Sequence, residues 1–103
     1  MLLITLSQLE AQIDWDNPVF QLTSYDGLPS TYYKDFEEDE FGFLWVATYS
    51  GICRFDGMEL KCLDDPALPE DGFSEIAYDA HRKVLWIGTF GGLYAYHLPT
   101  ESI

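Results

Sequence analysis

The stretch FLWVATYSGICRFDG, Phe43 to Gly57, sets one tryptophan inside a short apolar run, follows it with small residues and closes on Asp-Gly. Nearly the same string returns as VLWIGTFGGLYAY, Val84 to Tyr96. Leu44, Trp45, Thr48 and Gly51 recur as Leu85, Trp86, Thr89 and Gly92, about 41 residues on. Positions between them change conservatively: Val46 to Ile87, Ala47 to Gly88, Tyr49 to Phe90, Ile52 to Leu93 and Phe55 to Tyr96. A period of roughly 40–45 residues marks a repeat architecture, whose units cannot bury an apolar face without a neighbour.

Outward from the tryptophans, the chain reads as short β segments with turn punctuation, and no 3.6-residue apolar period runs long enough for a helix. The segments are VFQLTS, TYYKDFEE, FLWVATY, GICRF and MELKCL, then FSEIAYD, VLWIGTF and LYAYHL. Between the two groups lies DDPALPEDG, whose two prolines and four acids fit an exposed loop and not a central strand. Residues two apart in a strand share a face, so Trp45 and Ala47 point one way, as do Trp86 and Gly88. A large indole beside a very small residue makes a bump and a socket. Leu44, Val46 and Thr48 form a second apolar face, as a sheet packed between two similar sheets requires. Asp39 and Asp79 each stand just ahead of the tryptophan strand, where an Asx side chain bonds turn amides.

Composition sets limits on partners. The 103-residue chain has Lys+Arg 5 against Asp+Glu 18, a net charge of −13, which opposes binding to nucleic acid or an anionic membrane surface. With 48% hydrophobic and 17% aromatic residues it is too apolar to be a disordered acidic tail. No run approaches the roughly 18 apolar residues of a membrane span. The opening MLLITLSQLEAQ resembles the last part of a secretory signal peptide with cleavage after Ala11, although the positively charged start is missing; an ordinary terminal strand or short helix is the alternative. Export would put Cys53 and Cys62 where a disulfide persists.

The string FQLTSYDGLPSTYYKDFEEDEFGFLWVATYSGICRFDG closely resembles the two-component regulator propeller repeat, known from periplasmic sensor regions of hybrid two-component systems in Bacteroidetes. DGFS at Asp71 to Ser74 answers DGLPS at Asp26 to Ser30, and the second copy lacks a turn glycine before Val84. The resemblance implies an all-β fold of antiparallel propeller blades, about two of them, an incomplete propeller beside the four to eight blades of closed ones. The expected organisation is a signal-peptide remnant at 1–11, a first repeat with a preceding outer strand at 12–62, an acidic loop at 63–72 and a second, incomplete repeat at 73–103. The implied function is a non-enzymatic periplasmic or extracytoplasmic sensor propeller related to glycan sensing, with no cofactor. Partners are other blades or copies of the chain. The alternatives are a fragment of a propeller-type hydrolase or lyase, and a small self-assembling interaction protein.

Chemistry-bearing residues give little to an enzyme reading. The run Asp35, Glu37, Glu38, Asp39, Glu40 fails as a calcium loop because the sharp-turn glycine would fall at Glu40. Adjacency in sequence also supplies no cleft for a glycosidase pair. His81 and His97 lack ligand-spaced partners, and Ser50 lacks an oriented base. Binding is expected at strand-joining loops on one rim, which hold Tyr25, Ser30, Tyr32, Tyr49, Ser74 and Phe90, where aromatics either stack on sugars or close the gap between blades. A four-residue loop over Asp56 to Glu59 would set Cys53 opposite Cys62, and a two-residue turn would set it opposite Leu60. The expectation is two separate buried thiols.

Overall fold

The computed structural model describes residues 26–103. The segment VFQLTS, residues 1–11 with their expected signal-peptide remnant, and Tyr25 lie outside the described residues. Seven strands follow in order: β1 (Tyr33–Glu38), β2 (Leu44–Thr48), β3 (Gly51–Phe55), β4 (Leu60–Cys62), β5 (Phe73–Asp79), β6 (Val84–Thr89) and β7 (Gly92–His97). They form a four-stranded antiparallel meander, β1-β2-β3-β4, and a three-stranded one, β5-β6-β7. The chain is all-β through the described residues, with no helix long and apolar enough to cross a membrane.

The two sheets stack through the face that the tryptophan-and-small pattern marks in the first repeat. Trp45 and Ala47 of β2 and Ile52 of β3 pack on Phe73 and Ile76 of β5, Leu85 and Ile87 of β6, and Tyr96 of β7. Trp45 is only 1% exposed, and its ring meets that of Tyr96 edge-on at 5.8 Å. Each large side chain buried here stabilises the pair of sheets by roughly 1.5–3 kcal/mol. The opposite face of β2 packs Val46 on Cys53 and Leu28. In the second sheet Trp86 and Gly88 face away from the first, and Trp86 is only partly buried. One repeat therefore offers its tryptophan face and the other its Leu85 and Ile87 face.

Both tryptophans are fastened by the aspartate that precedes them. Asp39 accepts from the Trp45 Nε1–H at 2.9 Å, and its other oxygen accepts from the amides of Phe41 and Phe43 at 2.9 and 3.0 Å. Asp79 repeats the arrangement more loosely, with Trp86 Nε1 at 3.4 Å, and it spends its other contacts on the Arg82 amide and guanidinium. The Asx turns are as the sequence implies. The side-chain link to the indole is the additional finding.

Polar contacts tie the sheets at three levels. The Asp35 carboxylate of β1 accepts from the Ile76 amide at 3.0 Å, on β5, the edge strand of its sheet. Glu40 accepts from the Tyr78 hydroxyl at 2.8 Å and pairs with Lys83. The Lys83 and Tyr78 hydrogen bonds hold the Glu40 carboxyl below its usual range, while burial first and then Glu40 push the Tyr78 phenol up to about 12. At the other end, the Tyr49 carbonyl accepts from the amides of Gly72 and Phe73 at 2.9 and 3.2 Å.

The cysteines correct the expectation of separate thiols: Cys53 and Cys62 are joined by a disulfide. The reason is the β3–β4 turn. Asp56 accepts from the Met58 and Glu59 amides at 2.8 and 2.7 Å, its own amide donates to the Glu59 carbonyl, and Gly57 takes a left-handed φ of 99°. Those amides, Glu59 first, hold the Asp56 carboxyl below the usual range. The turn thus spans Asp56 to Glu59, Phe55 pairs with Leu60, and Cys53 falls opposite Cys62.

Candidate functional site

The start of β1, the β2–β3 turn and the entry to β5 all lie on one rim of the stacked sheets. Main-chain hydrogen bonds link them in series. The Tyr49 amide donates to the Tyr32 carbonyl at 3.0 Å, Gly72 donates to Tyr49 at 2.9 Å, and Phe90 donates to Gly72 at 3.0 Å. Tyr32 is thus the first sheet's counterpart of Gly72, as Tyr49 is of Phe90.

Side chains follow this path. The Tyr32 and Tyr49 rings meet edge-on at 6.3 Å, and Tyr49 and Phe90 do the same at 6.0 Å. Three of the rim candidates therefore form one aromatic row that runs from the first sheet to the second. Gly72 has no side chain to interrupt it, and the Phe90 ring lies against the space a Cβ would take there, at 3.4 Å. Tyr49 is half-buried and closes the gap between the sheets, while Tyr32 and Phe90 are 64% and 74% exposed. Two large aromatics left this open at the ends of one row make a stepped platform, their rings tilted 64° and 62° to that of Tyr49, and exposed ring faces stack on planar or ring-shaped ligands.

The remaining candidates divide. Ser30 braces the backbone at the start of the row, its hydroxyl accepting from the Tyr32 amide at 2.9 Å. Ser74 sits at the irregular start of β5, outside the row. Sequence reasoning missed Lys34, whose ammonium lies 4.4 Å from the centre of the Tyr32 ring and holds it by a cation–π contact. Its alternation with Tyr32 along the chain was the available signal. The acidic loop is largely exposed, as the sequence implies, and where it passes the β2–β3 turn it borders an open cleft of about 410 Å³ lined by Ser50, Asp64, Asp65, Glu70 and Phe73 among others. Asp65 anchors this loop by accepting from the Ala67 amide at 2.8 Å and the Ile103 amide at 3.2 Å.

Groups weighed for catalysis are dispersed. Asp35 is engaged with Ile76, Asp39 with Trp45, and Glu40 with Tyr78 and Lys83. Burial first, and then neighbouring Asp35, raise the Glu37 carboxyl above its ordinary value. His81 is exposed in the β5–β6 turn, and the His97 Nδ1 lies 3.0 Å from the Thr100 hydroxyl. Among the described residues no three His, Cys, Asp or Glu side chains gather to hold a metal.

Known proteins agree with the geometry. Residues 27–50 match the two-component regulator propeller family. A solved structure, the extracellular domain of a hybrid two-component system from B. thetaiotaomicron, superposes with a TM-score of 0.71 at 30% identity, over 81% of this chain and 12% of the other. No curated protein matches. The chain spans about one eighth of that domain. Residues 27–50 thus carry the match to the two-component regulator propeller repeat, and the pair of sheets has the fold of part of that extracellular domain.

Proposed function

We propose that these blades belong to the extracytoplasmic sensor region of a hybrid two-component system, and that their aromatic rim binds a neutral glycan. The observation that carries the ligand reading is the Tyr32–Tyr49–Phe90 row, open at both ends and continuous across two blades. Location follows the solved neighbour, which is an extracellular domain, and the Cys53–Cys62 disulfide fits an oxidising compartment. A neutral ligand fits best because the adjoining cleft carries Asp64, Asp65 and Glu70, which accept from sugar hydroxyls and repel anions.

Titration with a panel of neutral oligosaccharides, followed by isothermal calorimetry, tests this. The Tyr32→Ala, Phe90→Ala double variant removes only exposed rings, so it should fold normally and bind about 5- to 150-fold more weakly, at about 0.5–1.5 kcal/mol per stacking contact. Equal affinity in the variant, or no binding by any member of the panel, would overturn the glycan reading.

The same reading includes further blades, or copies of the chain, as partners. The Trp86 face of the second blade is only partly covered, Leu93 is 68% exposed, and beyond the single bridge from His97 to Ser102 no described strand pairs with the outer edge of β7. An open edge and an uncovered face together favour association. Light scattering coupled to size exclusion is expected to show masses above one chain, or loss of soluble protein, at micromolar concentration. A stable, cooperatively unfolding monomer would sink the assembly claim and leave the glycan claim standing.

A further inference from the structure

On the rim opposite the aromatic row, the blades part around a cleft of about 380 Å³ lined by Phe41, Phe43, Arg54, Lys83, Leu98 and Pro99. Its walls are apolar except for two cations, although the chain has only 5 Lys and Arg against 18 acids. The Arg54 guanidinium lies 4.4 Å from the centre of the Phe43 ring and 5.8 Å from that of Trp45. It makes no ion pair among the described residues. Lys83 enters from the other blade, over the Phe41 ring at 5.9 Å, and pairs with Glu40. An ammonium has three donors, so this pairing leaves Lys83 able to bind a further acceptor.

Both cations break the repeat, and each break is visible on its own. Arg54 stands opposite Trp45 across β2 and β3; the residue opposite Trp86 is Ala95. Lys83 occupies the position of Gly42 in the first blade. There Gly42 has a φ of 85°, and Lys83 holds the same left-handed backbone at 57°. A β-carbon in that region costs about 1–2 kcal/mol that glycine avoids. The Leu98 amide, donating to the Lys83 carbonyl at 3.0 Å, helps to hold it. Two independent departures, one of them strained, thus aim positive charge into one apolar cleft.

We propose that this inter-blade cleft is a second binding site, for a small organic carboxylate whose apolar face lies on Phe41 and Phe43 and whose carboxylate sits between Arg54 and Lys83. The guanidinium fork matches a planar carboxylate in two parallel hydrogen bonds. The volume suits a ligand of one ring.

The test is a titration of the ¹⁵N-labelled chain with benzoate and with galacturonate, using glucose and inorganic sulfate as controls. Shifts are expected at the Arg54 side chain, the Phe43 amide and the Trp45 indole for at least one carboxylate, with glucose silent there. Arg54→Gln should weaken that binding at least about tenfold, the loss of a charge-assisted hydrogen-bond pair. Lys83→Gly relieves the left-handed backbone but also removes the pair with Glu40, so it should leave the melting temperature within about 5 °C of the parent while weakening the carboxylate. Unchanged affinity in both variants, shifts confined to other surfaces, or a response to sulfate alone would each overturn the assignment. Tyr32 and Phe90 lie on the far rim, so their double variant leaves this binding intact, and the two sites stand or fall separately.

Discussion

Trp45→Ala is expected to lower the unfolding free energy by about 3–5 kcal/mol, and Trp86→Ala by about 1–2 kcal/mol. The two tryptophans are the same letter in the same repeat position, so any difference comes from surroundings. Trp45 fills the interface between blades against Tyr96, and its truncation leaves a cavity bounded by β6 and β7 that neither sheet can close alone. It also deprives buried Asp39 of one of its donors. Trp86 faces outward, is partly exposed and holds its aspartate at 3.4 Å, so water replaces much of what is lost. Urea denaturation of both variants measures the difference. Equal losses would mean that the Trp86 face is as covered in solution as the Trp45 face, which is itself a report of assembly.

Reduction of the disulfide is the second large effect. Cys53 and Cys62 are nine residues apart, and a loop of that length closed covalently removes about 2–3 kcal/mol of freedom from the unfolded chain. Domains of this size shift by roughly 4–8 °C per kcal/mol, so dithiothreitol is expected to lower the melting temperature by about 10–20 °C. A Cys53→Ala, Cys62→Ala double variant should melt near the reduced protein and ignore the reductant. No response in the parent chain would show that β3 and β4 are held by their hydrogen bonds and by Leu44, Phe55 and Leu60 alone.

Much of this fold is legible because the repeat states it twice. Leu44 to Gly51 and Leu85 to Gly92 mark the paired central strands, and the alternation of Trp45 with Ala47 names the face that becomes the interface. The disulfide was not legible, because Asp56-Gly57 serves a tight hairpin and a four-residue turn equally well. What decides is the Asp56 carboxylate reaching the Met58 and Glu59 amides, a three-dimensional fact with no periodic trace. The aromatic row was legible as separate residues only. Its continuity depends on Gly72 standing where Tyr32 stands in the first blade, a correspondence that the extra residues of DGLPSTYY conceal from a letter-by-letter alignment. The opposite cleft was hidden for a related reason. Arg54 and Lys83 come from different blades and meet only when these stack, although the missing glycine before Val84 already pointed to one of them.

The series of bonds along the aromatic rim, Tyr32 to Tyr49 to Gly72 to Phe90, is made entirely of carbonyls and amides. Amides and carbonyls are common to every residue but proline, so the spacing and order of the platform do not depend on which side chains it displays. Replacing an exposed ring at Tyr32 or Phe90 with a hydroxyl, an amide or a small apolar group changes what the surface recognises and leaves its skeleton in place. A gene that duplicates such blades can therefore diversify recognition one position at a time, without re-solving the folding problem at each step.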